Sequence, residues 1–257
     1  MTMESVSPGN ASLRLQRNVS GQEIGGWNPD PDGKLLDRLA LWEDDQERCP
    51  TASMGIDEAL MECVELPVLR TYHWSRACVS IGYFTSSKSL QGEVKPPEII
   101  RRLTGGGLVH HGSDWPFSVA VPSSHPFYSL RPQESYRVIH HALLAALRGY
   151  RPDAASLFSM SDTDSAIQSD FCFKKPVAHD ILLDRTKIAG GGQKRTRRGF
   201  LYQGSLQVRA DYQPPPPHLA SALSERVEIF KPTGEIFQRG EELAQSRYLN
   251  AEWTLKF

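Results

Sequence analysis

Apolar residues alternate or run unbroken over several short spans and recur at helical spacing over a few longer ones, a pattern that predicts groups of strands with helices between them. Leu39, Leu41 and Trp42 predict an entering strand, followed by a turn at Cys49-Pro50. A helix is expected from Ser53, which supplies a cap, with Asp57 and Glu58 in the first turn and Ile56, Leu60 and Val64 on one stripe. Residues 68–74 and 77–83 read as two neighbouring strands, and a short helix is expected through Glu98, Ile99 and Ile100 after Pro96-Pro97. A strand follows over residues 117–121. The clearest helix covers residues 133–147, where Tyr136, Ile139, Leu143 and Leu147 share a face. Strands are expected over 180–189, broken by a turn at Asp184-Arg185, and over 200–208. The prolines at 214–217 predict a stiff extended connector, and helices over 219–227 and 241–247 close the chain. No repeat of 20 to 50 residues is present, and the fold class is α+β, mixed β-sheets flanked by helices.

Composition narrows the reading. The 257 residues fit one large domain. Residues 1–33, rich in Ser, Asn, Gly and Pro without periodicity, predict a flexible lead-in, which leaves 34–257 as a single catalytic-size domain. With 29 basic and 30 acidic side chains the net charge is -1, which argues against a dedicated nucleic-acid binder. No apolar run reaches membrane length, and the four cysteines (Cys49, Cys63, Cys78, Cys172) form no CxxC pair, so a cytoplasmic protein with no membrane and no metal site is expected. Cys49, Cys63 and Cys78 read as packing residues.

Two segments carry candidate chemistry. Arg101-Arg102-Leu103-Thr104-Gly105-Gly106-Gly107 sets two guanidinium groups beside three residues without side chains, where backbone N–H groups can approach a ligand and arginine can hold a carboxylate or phosphate. Lys187-Ile188-Ala189-Gly190-Gly191-Gly192-Gln193 places a lysine ahead of a second glycine run, at the end of an apolar strand. The order differs from a P-loop, in which lysine follows the glycines. A fixed ammonium between two such runs suits a carboxylate about to be joined to a phosphate, or any oxygen on which negative charge develops.

RRLTGGGLVHH, followed by Asp114 and Phe117-Ser118-Val119, resembles the lipoate-binding loop of the lipoate-protein ligase and octanoyltransferase superfamily, which includes the biotin-protein ligases. MGIDEAL at 54–60 is similar to its first helix, RTYHW at 70–74 with SIG at 80–82 to its early strand pair, and DILLDRTKIAGGGQKR to the segment bearing its lysine. The resemblance spans residues 37–208 and implies a biotin/lipoate-protein-ligase-like catalytic domain. It implies that Lys187 holds the acyl carboxylate and α-phosphate in a ligase, or polarises a thioester carbonyl in a transferase. Arg70, Arg102, Thr104, Gly105, Gly106, Gly107 and His110 become substrate-binding positions, and Gly190, Gly191, Gly192 and Gln193 nucleotide-binding ones. Departures are His111 where an aspartate often follows the histidine, Gly191-Gly192 for Ser-Ala, and Thr85 for glutamine.

Two routes follow. The first reading is an ATP-dependent ligase, using ATP with Mg2+ to make lipoyl-adenylate before attack by an acceptor lysine; Gly107, where one transferase branch carries arginine, favours it. The alternative is an octanoyltransferase without cofactor, in which Cys172, flanked by Phe171 and Phe173, takes octanoyl from acyl carrier protein as a thioester. Cys172 has a plain packing reading as well. Partners in either case are lipoyl acceptor domains of 2-oxoacid dehydrogenases or the glycine cleavage H protein. The basic run Lys194, Arg195, Arg197 and Arg198 reads as a contact for an acidic protein or for phosphates. A third reading, a non-catalytic lipoate or biotin sensor, is disfavoured by Lys187 between the two glycine runs.

Overall fold

A computed structural model of the chain describes residues 35–90, 98–162 and 176–256, together with the backbone of two short strands, β1 (Gln16–Arg17) and β2 (Glu23–Ile24). The chain divides into two compact units, residues 1–33 and 34–257. In the first, β1 and β2 pair antiparallel.

The second unit runs β3 (Leu39–Glu43), α1 (Pro50–Cys63), β4 (Val68–Thr71), β5 (Cys78–Ile81), β6 (Ile99–Arg101), β7 (Leu108–His111) and β8 (Trp115–Pro122). It continues through α2 (Pro132–Tyr150), β9 (Phe158–Met160), β10 (Ile181–Leu183), β11 (Thr186–Arg195), β12 (Gly199–Leu206), α3 (Pro216–Leu223), β13 (Val227–Ile229), α4 (Gly234–Leu243) and α5 (Ala251–Thr254). Eight strands form one mixed sheet in the order β13-β3-β4-β8-β12-β11-β10-β9, and three form a second in the order β6-β5-β7. The α+β class with helices flanking mixed sheets is the observed one.

Helix α1 joins the parallel neighbours β3 and β4, as a parallel pair requires. It starts a turn earlier than the cap at Ser53 predicts, because Pro50 takes the first helical position. Asp57 and Glu58 consequently lie mid-helix and buried rather than in the first turn. Strands β8 and β12 are buried at all eight positions each, so alternate residues meet different layers. Leu201 packs with Met61 of α1, whereas the Tyr202 hydroxyl meets His140 of α2. The large sheet is thus covered by α1 on one face and α2 on the other.

Several local expectations change. The 68–74 and 77–83 strands are not neighbours: β4 pairs with β3 and β8, and β5 belongs to the small sheet. The expected helix at Glu98, Ile99 and Ile100 is β6, since two β-branched residues find a parallel partner in β5. Of the four prolines, Pro216 and Pro217 open α3 instead of extending the connector. The 219–227 span holds the end of α3 and the start of edge strand β13, and 241–247 spans the end of α4 and a π-helical turn, Ala244–Tyr248. No helix among the described residues is long and apolar enough to cross a membrane.

Helices α1 and α4 cross where Gly55 meets Gly240, and a Cβ on Gly55 would stand 2.2 Å from the Gly240 carbonyl oxygen. Gly55→Ala is expected to lower stability by about 1–3 kcal/mol through overpacking, read as a shifted urea midpoint. Gly234→Ala, at an exposed position with nothing within 4 Å, should leave that midpoint unchanged or slightly raised.

Candidate active site

The first glycine run is a turn between β6 and β7, built around arginine. Arg102 donates from Nη2 to the carbonyls of Gly105 (3.0 Å) and Gly107 (2.9 Å), and from Nη1 to the Ser80 hydroxyl (2.7 Å). Gly106 takes φ 95°, open to glycine at little cost. Thr104 is buried and donates to Gln203 Oε1 at 2.9 Å. Gln203 in turn donates to Asp57 (2.8 Å), which also receives Arg70 (2.8 Å) and Ser118 (2.7 Å).

The second glycine run is not a loop. Gly190, Gly191 and Gly192 lie inside β11, in antiparallel register with Ser205, Gly204 and Gln203 of β12. A Cβ on Gly191 would strike the Tyr202 hydroxyl at 2.2 Å, so Gly191 faces α2. A Cβ on Gly192 would lie 2.3 Å from the Gly105 carbonyl oxygen, so Gly192 faces the first glycine turn. Alternation would put Lys187 on the Gly191 face. The β10–β11 register shifts between Ile181 and Leu182, however, so that Ile181 pairs with Ala189 but Leu182 with Lys187. The extra residue turns Lys187 to the face of Gly190 and Gly192. A Cβ on Gly190 would stand 3.0 Å from Lys187 Nζ. That amine is buried and ion-paired with Asp180 Oδ2 at 2.7 Å.

Between the small sheet, α1 and the β11–β12 ladder lies a narrow pocket of about 30 Å³. Met54, Tyr72, Trp74, Val109 and Pro116 give it an apolar wall, and Gly190, Gly191 and Gly192 a side-chain-free one. Its polar wall includes Arg102, Ser80 and His111, and His111 bridges Ser80 (Nε2, 2.6 Å) and Asp114 (Nδ1, 2.7 Å). Burial would raise the Asp114 carboxyl, but the His111 contact, the Ser205 hydroxyl and the Gly112 N–H outweigh it and hold it below its ordinary value.

Arg102, read from the sequence as a substrate-binding residue, and the three β11 glycines, read as nucleotide-binding ones, line the pocket. Thr104, Gly105, Gly106 and Gly107 are outside the lining, with Thr104 bonded to the lining residue Gln203 and Gly105 in contact with Gly192. His110 is exposed while His111 faces in, because adjacent residues on β7 point to opposite faces. Arg70 is fully buried, bound to Asp44 and Asp57 and stacked on Tyr72, outside the lining. Gln193 accepts from Ser135 and donates to the Pro132 carbonyl, and Arg195 also bonds to the chain entering α2. Cys172 lies outside the described residues. Sequence reasoning missed His111, Gln203 and Ser205; the period-two pattern of β7 and β12 carried the signal for them. Burial pushes the Cys78 thiol up to about 12, in keeping with a packing role.

A second, open groove is lined by Lys194, Arg197, Arg198, Arg247, Tyr83 and Trp253, with Glu58 and Glu62 at its floor. Arg198 pairs with Glu62 at 3.0 Å, Arg247 with Glu58, and Lys194 sits over the Tyr83 ring at 4.9 Å. Phe84 beside it is 77% exposed. Among the described residues no group of three His, Cys, Asp or Glu side chains could hold a metal ion.

A family model, the lipoyl protein ligase A/B catalytic domain, matches residues 49–241. The octanoyltransferase LipM of Staphylococcus epidermidis is 34% identical over 172 residues, 61% of each chain. That of Bacillus subtilis is 30% identical over 177 residues, 63% of each. The chain therefore spans about three-fifths of the length of these relatives. Among solved structures, lipoate-protein ligase A bound with ATP superposes with a TM-score of 0.62 at 20% identity, covering 86% of this chain and 99% of that one. A bi-partite lipoate protein ligase from Thermoplasma acidophilum, solved with its E2 lipoyl domain in an archaeal lipoylation system, gives 0.62 at 17%, covering 86% and 96%. These structures share the fold.

Buried His140 bears on stability. Burial, with Lys187 nearby, pushes its pKa down to about 3, against roughly 6.5 in an unfolded chain. As pH falls the unfolded chain takes the proton first, so this contribution is complete above about 6.5 and drains away towards 3, by at most about 1.4 kcal/mol per pH unit. Between pH 7 and pH 5 the urea midpoint of the wild type is expected to fall more than that of His140→Gln; equal falls would contradict the assignment.

Proposed function

The chain belongs to the lipoyl protein ligase A/B catalytic domain family, and from that premise we propose that it transfers an octanoyl group from a thioester donor to the ε-amine of a lysine in a lipoyl acceptor domain. The observation that carries this reading is the buried Lys187 ammonium, held close to Gly190, whose backbone lines an apolar pocket. The LipM relatives support octanoyl transfer over the ATP-dependent ligation that the sequence put first. The residues assigned to a nucleotide fit one poorly: Gly190, Gly191 and Gly192 are ladder strand rather than a phosphate-cradling loop, and both ends of Gln193 are engaged.

The octanoyl chain lies against Met54, Tyr72, Trp74 and Val109. At about 0.8 kcal/mol per methylene, burying its six methylenes contributes on the order of 5 kcal/mol to binding. The thioester carbonyl points to the glycine wall, where Lys187 faces the oxygen on which negative charge develops. Cys172 is the proposed nucleophile: its sulfur bonds to the acyl carbon, the donor's C–S bond breaks, and the donor leaves as a thiol. The acceptor amine then attacks this second thioester, forming the amide and returning the thiol of Cys172. The donor is acyl carrier protein and the acceptor a lipoyl domain, and the Lys194–Arg197–Arg198 groove supplies a basic surface for an acidic protein.

Given octanoyl carrier protein and an acceptor domain without ATP, the enzyme is expected to add one octanoyl mass to the acceptor. Lys187→Ala should cut kcat/KM by about 10²–10³-fold, and Cys172→Ser should abolish transfer. Modification that requires ATP and free octanoate or lipoate, unaffected by Cys172→Ser, would instead establish ligation. Arg197→Glu with Arg198→Glu should raise KM for protein substrates about tenfold while sparing hydrolysis of a small octanoyl thioester; equal effects on both would remove the groove from the reading.

A further inference from the structure

The acyl-transfer steps use Lys187 and leave unexplained a second buried ionisable group beside it. We infer that Asp180 is a positioning residue whose carboxylate, set by Tyr136 and by the Val177 N–H, fixes the Lys187 ammonium at the glycine wall; this rests on the acyl-transfer reading of the same pocket.

Lysine carries its charge on a flexible four-carbon stem, so an ammonium that must meet one oxygen needs a fixed partner. Asp180 Oδ2 lies 2.7 Å from Lys187 Nζ, with the two side chains 0% and 3% exposed. Each carboxylate oxygen has a donor besides the lysine. The Tyr136 hydroxyl donates to Oδ1 at 2.6 Å, and the Val177 N–H donates to Oδ2 at 2.6 Å. The carboxylate is therefore oriented by groups other than the ammonium it holds.

The clamp is also tied to the pocket. Gly191, on the glycine wall, donates its N–H to the Tyr136 hydroxyl at 3.3 Å. The Tyr136 ring stacks on His140 with centroids 4.1 Å apart, and His140 bonds the Tyr202 hydroxyl at 2.6 Å. A shift of Tyr136 would thus be felt by α2, by β11 and by Asp180 together. The ionisable groups around Lys187 are Asp180 and Tyr136, then His140 from α2 and His179 from the turn before Asp180. A buried ion pair is weak evidence for stability, because desolvation offsets much of its attraction. Its value here lies in where it holds the charge.

The test uses the full chain with Asp180→Asn and Tyr136→Phe, and two readouts. The first is transfer from octanoyl carrier protein: kcat is expected to fall about 10²-fold in Asp180→Asn and about tenfold in Tyr136→Phe, with KM within about threefold of wild type. The second is reductive methylation mapped by peptide mass. Lys187 should react far more slowly than exposed Lys256 in the wild type, and about tenfold faster in either variant than in the wild type. A kcat within threefold of wild type in both variants, a loss confined to KM, or unchanged Lys187 labelling would overturn the inference. Should Asp180→Asn fail to fold, Tyr136→Phe, which removes one hydroxyl, decides alone. A wild type that transfers no acyl group sinks the broader reading, whereas the labelling arm still reads the clamp.

Discussion

The pocket exists because two stretches of backbone touch where no side chain intervenes. The Gly105 carbonyl oxygen occupies the space that a Cβ on Gly192 would need, and the Gly106 carbonyl does the same at Gly82, where a Cβ would stand only 1.7 Å away. At Gly82 and Gly192 glycine answers a demand for room; the positive φ at Gly106 is a separate demand for conformation. The close approach brings the small sheet, with Ser80, Val109 and His111, against the β11–β12 ladder with Gln203 and Ser205. The Thr104–Gln203 hydrogen bond locks the seam from inside. A larger residue at Gly192 would wedge the two sheets apart, and one at Gly82 would displace the glycine turn within the small sheet.

Arginine does much of the internal fastening. Arg70, Arg101, Arg102 and Arg195 send their forks to backbone carbonyls or buried carboxylates rather than to solvent. Five donors in a rigid plane suit that work better than a lysine would. Arg70 sits between Asp44 and Asp57 with its guanidinium over Tyr72, and Asp57 joins this network to Gln203 and so to the pocket wall. Removing one member would strand a buried charge, costing on the order of 3–5 kcal/mol. An arginine beside a glycine run can therefore be a turn-holder as readily as an anion receptor, and Arg102 lines the pocket while holding the turn.

The sequence made the fold class, the first glycine turn and the pairing of Lys187 with a second glycine run legible, because each depends on residue type at fixed spacing. It misled where partners are distant in the chain. Nothing local shows that Ile99 and Ile100 will pair with β5, or that residues 190–192 will find a ladder in β12. The bulge that aims Lys187 is equally hidden: alternation alone turns the amine towards α2. His110 and His111 show a one-residue limit of motif matching. Both fit the pattern by type, and only the strand's facing decides between them.

That facing also separates the two polar ends of the pocket. Arg102 donates to the Ser80 hydroxyl, which also bonds His111 Nε2, while His111 Nδ1 bonds Asp114. Asp114 takes further donors from Ser205 and the Gly112 N–H. The Arg102, Ser80, His111 and Asp114 groups at this end are bonded to one another, whereas the Trp74 indole N–H, packed against His111, is buried without a partner among the described residues. At the other end the buried Lys187 ammonium lies close to Gly190, behind the glycine wall rather than in the lining itself. In the acyl-transfer reading, an apolar tail packs against Met54, Tyr72, Trp74 and Val109 and the carbonyl turns to the glycine wall nearest the charge.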